Sequence, residues 1–126
     1  MSKKILVIED DRDVAELVKL VLETDSFIVE TVLDPELAFD KAKDWGPDAI
    51  LLDLTMPKID GWQIFKMLRQ DQDFDTVPIA ILTAKSEEFD TMVGLHVMNA
   101  DAYITKPFGK QELIDKVNEL FKKNTQ

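Results

Sequence analysis

The chain has 126 residues, a formal net charge of −10 and a hydrophobic fraction of 45%, which fits a single domain of residues 1–126 with a core that needs no covalent staple. It has no cysteine, so disulfides, thiolate metal sites and thiol catalysis are excluded, and a reducing, cytoplasmic setting is the expected one. The acidic surplus repels nucleic acid and no basic stripe offsets it, so direct nucleic-acid binding by this chain is not expected.

Along the chain, short β-branched runs alternate with amphipathic segments. Lys4 to Ile8 reads as a buried strand. Its apolar run, Ile5-Leu6-Val7-Ile8, is too short for a signal-peptide core or a membrane span, and acids follow at once, so neither export nor membrane insertion is expected. Val14, Leu17, Val18, Val21 and Leu22 form a helical stripe. Phe27 to Val32 is a second strand. A helix begins at Pro35, runs to about Trp45 and is stopped by Gly46-Pro47; Trp45 is expected to pack that helix. Ala49 to Leu52 is apolar throughout, as suits a strand covered on both faces. Met56 to Gly61 is a loop broken by Pro and Asp-Gly, and Trp62 to Arg69 is a helix that places Trp62 near the strand ends. Val77 to Leu82 is the fourth strand. Ser86 caps a further helix, with Glu87 and Glu88 in its first turn; its stripe of Phe89, Met92, Val93 and Val97 is read chiefly as core packing. Ala102 to Ile104 is a short fifth strand, and Leu113, Ile114, Val117, Leu120 and Phe121 mark a final helix.

Five strands alternating with five helices imply a doubly wound parallel sheet with helices on both faces, because parallel strands need long crossovers. In such α/β sheets ligands sit at the carboxyl ends of the strands. There the sequence delivers Glu9-Asp10-Asp11, Asp53, Thr83-Ala84 and Lys106-Pro107. Gathered carboxylates raise one another's pKa values, and a hard divalent cation, Mg2+ above all, would relieve them. Lys106 and Thr83 could then meet phosphate oxygens while Asp53 acts as nucleophile, forming an acyl phosphate. Each residue alone has a plain structural reading: Asp11 as the start of a helix, Asp53 as a turn former, Thr83 as part of a strand, Lys106 as a solvated cation. Their joint occurrence at four strand ends is what points to chemistry.

These segments, Ile5 to Asp11, Asp53-Leu54-Thr55-Met56-Pro57-Lys58-Ile59-Asp60-Gly61, Ile81-Leu82-Thr83-Ala84 and Tyr103-Ile104-Thr105-Lys106-Pro107-Phe108, resemble the receiver domain of two-component response regulators, over nearly the whole chain from Lys4 to about Phe121. The resemblance implies a flavodoxin-like α/β fold with strand order 2-1-3-4-5. It implies that Asp53 is phosphorylated by a histidine kinase or histidine phosphotransfer protein. It implies Mg2+ held by Glu9, Asp10, Asp53 and the backbone carbonyl of Thr55, catalytic roles for Lys106 and Thr83, a switch pair of Thr83 and Tyr103, and a cis peptide at Lys106-Pro107. The signal would pass to a downstream protein or a fused output domain, with no turnover of an external metabolite.

The sequence departs from the family pattern in two places. Asn99-Ala100-Asp101-Ala102-Tyr103 replaces Gly-Ala-Asp-Asp-Tyr, and Lys116 stands where DNA-binding members often carry Arg. Both weaken a homodimer through the fourth helix, fifth strand and fifth helix, since Lys cannot make the planar bidentate pair that Arg makes. Two other readings compete. An aspartyl-nucleophile phosphatase or phosphotransferase would want a second acid where Thr55 stands, and more chain to cap a substrate. A receiver-like interaction module without phosphorylation would not need the full set of Glu9, Asp10, Asp53, Thr83 and Lys106.

Overall fold

The computed structural model describes residues 2–54, 61–84 and 100–124, with residues 83, 84, 123 and 124 described by backbone only. Strands β1 (Lys4–Ile8), β2 (Ile28–Val32), β3 (Ala49–Asp53), β4 (Ile79–Ala84) and β5 (Ala102–Lys106) form one sheet in the order β2-β1-β3-β4-β5. All four pairings are parallel, as the alternation of the sequence requires. Four α-helices stand among the described residues: α1 (Arg12–Glu23), α2 (Ala38–Trp45), α3 (Gly61–Gln70) and α4 (Lys110–Asn124). The helix expected from Ser86, with its apolar stripe, lies outside the described residues, as does Thr55.

The period-2 alternation of strand side chains divides the core into two layers. Ile5 and Val7 of β1 and Leu51 of β3 join Val18 and Leu22 of α1 and Leu113, Val117 and Leu120 of α4. Leu6 and Ile8, with Ile50 and Leu52, face Ala38 and Ala42 of α2 and Ile64, Phe65 and Leu68 of α3. Every residue of β3 is buried. Its central place explains why its sequence carries no polar residue before Asp53.

Local chemistry sets the element ends. The Asp11 side chain accepts from the backbone N–H of Asp13 at 3.0 Å and of Val14 at 3.4 Å. That N-cap starts α1 at Arg12, before its apolar stripe. Leu17 belongs to the stripe by spacing but is 51% exposed, because the buried face runs through Ala15, Val18 and Leu22. The segment from Pro35 divides into a 3-10 turn (Pro35–Leu37), capped by Asp34 on Glu36 N–H at 3.0 Å, and then α2. Gly46, at φ 70°, ends α2 as expected. The Trp45 ring lies under the Lys4 ammonium at 4.6 Å and ties α2 to the start of β1.

β2 and β3 each differ from the sequence expectation by one residue at one end, and two strands differ by two residues. β4 occupies Ile79–Ala84 rather than Val77–Leu82. Pro78 has no N–H for the ladder, and the Val77 N–H is turned to the Phe74 carbonyl at 3.3 Å. Pairing with β5 carries the far end onward, with Thr83 opposite Thr105 and Ala84 opposite Lys106. β5 is correspondingly longer than Ala102 to Ile104 and takes in Lys106 as its last residue.

Candidate functional site

Glu9 follows β1 directly, its N–H donating to the Val32 carbonyl of β2 at 3.1 Å. Asp53 is the last residue of β3 and Lys106 the last of β5. Parallel strands end on one edge, so residues far apart in sequence converge there. Glu9 and Asp53 are each 1% exposed and are the buried polar side chains among the described residues. One carboxylate oxygen from each of Glu9, Asp10 and Asp53 lies within 4.8 Å of the others. The Lys106 ammonium donates to Glu9 Oε2 at 2.8 Å and stands 3.5 Å from Asp53 Oδ1. The other Glu9 oxygen, Oε1, accepts from the Asp11 N–H at 3.2 Å.

Glu9 and Asp53 thus share one ammonium, with Asp10 as a third carboxylate beside them. Burial pushes the Glu9 carboxyl up from 4.5 to about 7; the Lys106 hydrogen bond opposes this, and the Asp53 charge adds to it. Burial would lower the Lys106 pKa, but its hydrogen bond to Glu9 and the charges of Asp53 and Glu9 outweigh that and raise it. Three acids beside one ammonium leave the cluster rich in oxygen donors and in negative charge. An all-oxygen, net-anionic donor set of this kind fits a hard divalent cation such as Mg2+.

The sequence-derived set falls into two groups. Glu9, Asp10, Asp53 and Lys106 are brought together. Asp11 is turned away as the cap of α1. Tyr103 is half-buried against the α2–α3 layer and lies opposite Ile81 in the sheet. Thr83 lies two residues along from Ile81, at the carboxyl end of β4, with its side chain outside the described residues. The Lys106–Pro107 peptide is cis. Trp62, one residue into α3, is half-buried, edge-on to Phe65 with centroids 5.6 Å apart.

The sequence reading missed an apolar groove of about 340 Å³ beside the site, lined by Val14, Leu17, Lys106, Pro107 and Phe108. Its one available signal was Leu17, an apolar residue at the margin of the α1 stripe. Nor did the sequence reveal that Glu9 and Lys106 pair directly, since the two stand 97 residues apart.

Residues 5–118 match the family described as the response regulator receiver domain. The chain is 41% identical over 124 residues to the alkaline phosphatase synthesis transcriptional regulatory protein PhoP of Bacillus subtilis, covering 98% of this chain and 50% of that protein. It is 38% identical over 123 residues to the response regulator ArlR of Staphylococcus saprophyticus, covering 98% and 54%. The chain therefore spans about half the length of the curated relatives it matches. Among solved structures it resembles the receiver domain of the Francisella response regulator 1452, with TM-score 0.85 and 32% identity, over 98% of this chain and 99% of that one. It also resembles the chemotaxis protein CheY4 of Vibrio cholerae, with TM-score 0.87 and 25% identity, over 95% and 99%.

Proposed function

The chain belongs to the response regulator receiver domain family, and on that premise we propose that residues 1–126 act as one phosphorylation-activated switch of a two-component system, with Asp53 as the phosphoacceptor. The observation that carries the reading is the buried Asp53 carboxylate, facing Lys106 at 3.5 Å within a cluster of three acids.

The donor is the phosphohistidine of a histidine kinase or histidine phosphotransfer protein. An Asp53 carboxylate oxygen attacks phosphorus, and the P–N bond breaks. The electron pair leaves with the imidazole, whose other ring nitrogen carries a proton, so that the leaving group is neutral imidazole. Lys106 supplies a positive charge to the oxygens of the transferring group, and its bond to Glu9 aims it there. Glu9, Asp10, Asp53 and the Thr55 carbonyl would hold Mg2+, which when bound supplies the positive charge that makes a carboxylate approachable by a phosphate. The chain assists phosphorylation of its own Asp53 and the later loss of that group, and turns over no external metabolite.

Thr83 moves toward the phosphoryl group and Tyr103 changes its packing. This two-state rearrangement favours a different partner, a downstream protein or a fused output domain. The apolar groove beside Lys106 favours delivery by a protein rather than by a small donor alone. No described helix is long and apolar enough to cross a membrane, and the charge of −10 speaks against direct nucleic-acid binding by this chain. A family-type homodimer through β5, α4 and the segment after Ser86 would have to form without an acid at 102 and with Lys116 in place of Arg.

Incubation with acetyl phosphate and Mg2+ should add one phosphoryl group by intact mass, and Asp53→Asn should abolish the addition. Addition that survives this substitution would sink the assignment.

A further inference from the structure

Asp53 is positioned through its backbone as well as by its ionic neighbours. Gly61, the buried first residue of α3, packs directly on the peptide that follows Asp53. A Cβ at Gly61 would stand 2.7 Å from the Asp53 carbonyl oxygen, 2.7 Å from the Leu54 Cα and 3.2 Å from the Leu54 carbonyl oxygen. All three are backbone atoms, which cannot turn aside as the end of a side chain can. On its other side the same peptide is fixed by the Leu54 N–H, which donates to the Leu82 carbonyl of β4 at 3.2 Å. The Asp53–Leu54 peptide is thus held between a strand and the start of a helix, and its position sets the reach from Asp53 to Lys106. The demand for glycine is steric. Gly46 is the reverse case, with φ 70° and nothing within 4 Å of an added Cβ.

We propose that Gly61 is a positioning residue for phosphoryl transfer: its missing side chain lets α3 seat against the Asp53–Leu54 peptide and so sets the Asp53 carboxylate at its working distance from Lys106, Glu9 and Asp10. This rests on the reading of Asp53 as phosphoacceptor. Added bulk at this contact displaces the nucleophile, and displacements of about 1 Å in an active site cost on the order of a hundredfold in rate.

The test compares three forms of the full chain: unaltered, Gly61→Ala and Gly46→Ala. The last strains a left-handed residue at the opposite edge of the sheet, so it lowers stability without approaching Asp53. Thermal midpoints, phosphorylation rates with acetyl phosphate and calorimetric Mg2+ affinities are measured for each. The expected result is a lower midpoint in both variants, with the rate in Gly61→Ala falling about tenfold to a hundredfold, weaker Mg2+ binding and selective loss of hydrogen-exchange protection at the Leu54 amide. Gly46→Ala should keep the unaltered rate and affinity. A Gly61→Ala chain with unaltered rate and affinity overturns the proposal, and so does an equal loss in both variants, which would make stability the cause.

If Gly61→Ala does not fold, it is rebuilt on Ser26→Gly, which relieves a non-glycine residue at φ 69°. Failure to fold there too counts against the proposal, because Gly61 would then serve the whole fold rather than the site. If the unaltered chain takes up no phosphoryl group, it is the functional reading that fails, and this inference falls with it. Normal uptake with no effect at Gly61 overturns this inference alone.

Discussion

At the amino-terminal edge of the sheet, one Arg69 nitrogen donates to the carbonyls of Phe74 at 3.0 Å and Val77 at 2.7 Å, and the other to Asp101 Oδ2 at 2.8 Å. The same Asp101 oxygen accepts from the Ile79 N–H at 2.8 Å, and the guanidinium lies 5.2 Å from the centre of the Phe65 ring. One cation meets one anion, and neighbouring backbone groups add hydrogen bonds to both. At the carboxyl edge, three acids meet one lysine and Glu9 is pushed up to about 7. The strands are the same; the charge balance differs. The closed cluster pins the start of β4 and of β5 to the end of α3. The open cluster holds more acids than its one lysine offsets, and a divalent cation would offset the rest. Excess carboxylates at one edge and a matched pair at the other separate a candidate reactive site from a structural clamp.

Four substitutions should break or sharpen this contrast. The largest effect belongs to Asp53→Asn, which should abolish phosphorylation by intact mass while raising the thermal midpoint of the metal-free protein, because it removes one of three crowded negative charges. Next is Arg69→Met. Breaking a buried ion pair costs about 3–5 kcal/mol, and Asp101 keeps some solvent contact, so a loss of about 2–3 kcal/mol in urea unfolding is expected. Phosphorylation per folded molecule should be unchanged; a large fall would mean that the amino-terminal edge also tunes the site.

The third is Glu9→Gln, read through pH. A carboxyl raised from 4.5 to about 7 binds its proton more tightly in the folded than in the unfolded chain. Stability of the metal-free protein, relative to Glu9→Gln, is therefore greatest below about 4.5 and falls as pH rises toward 7, at up to about 1.4 kcal/mol per pH unit. Mg2+ should oppose this fall, and a difference between the two proteins that stays flat from pH 4.5 to 7 would contradict the frustrated cluster. The smallest effect is that of Ser26→Gly, which touches neither cluster. It should raise stability by about 1 kcal/mol through relief of the left-handed backbone and leave phosphorylation unaltered.

The sheet was legible because its strands are apolar runs whose partners follow from alternation; β1 and β3 needed no further information. The ends were less legible. Val77 looks like a strand residue but gives its N–H to a turn, and β5 gained its last two residues only by pairing with β4. Of the site, the acids and Lys106 were found from the strand-end rule, whereas the direct Glu9–Lys106 bond depends on folded distance. Arg69 read only as the last residue of a helix; its partner Asp101 is 32 residues away and nothing local announces it. Gly61 read as a turn breaker, because a steric need for glycine and a conformational one look alike in sequence.

Glu9, Asp10 and Asp11 are buried, half-buried and exposed in turn, and they do three jobs: hydrogen-bond partner of Lys106, rim carboxylate and helix cap. Three similar acids are thus assigned by position along the chain more than by identity. Such a tripeptide works as a ruler. It should accept some exchanges of Asp for Glu or Asn, yet a single inserted or deleted residue would hand every acid its neighbour's task, so this stretch is constrained in length even more tightly than in composition.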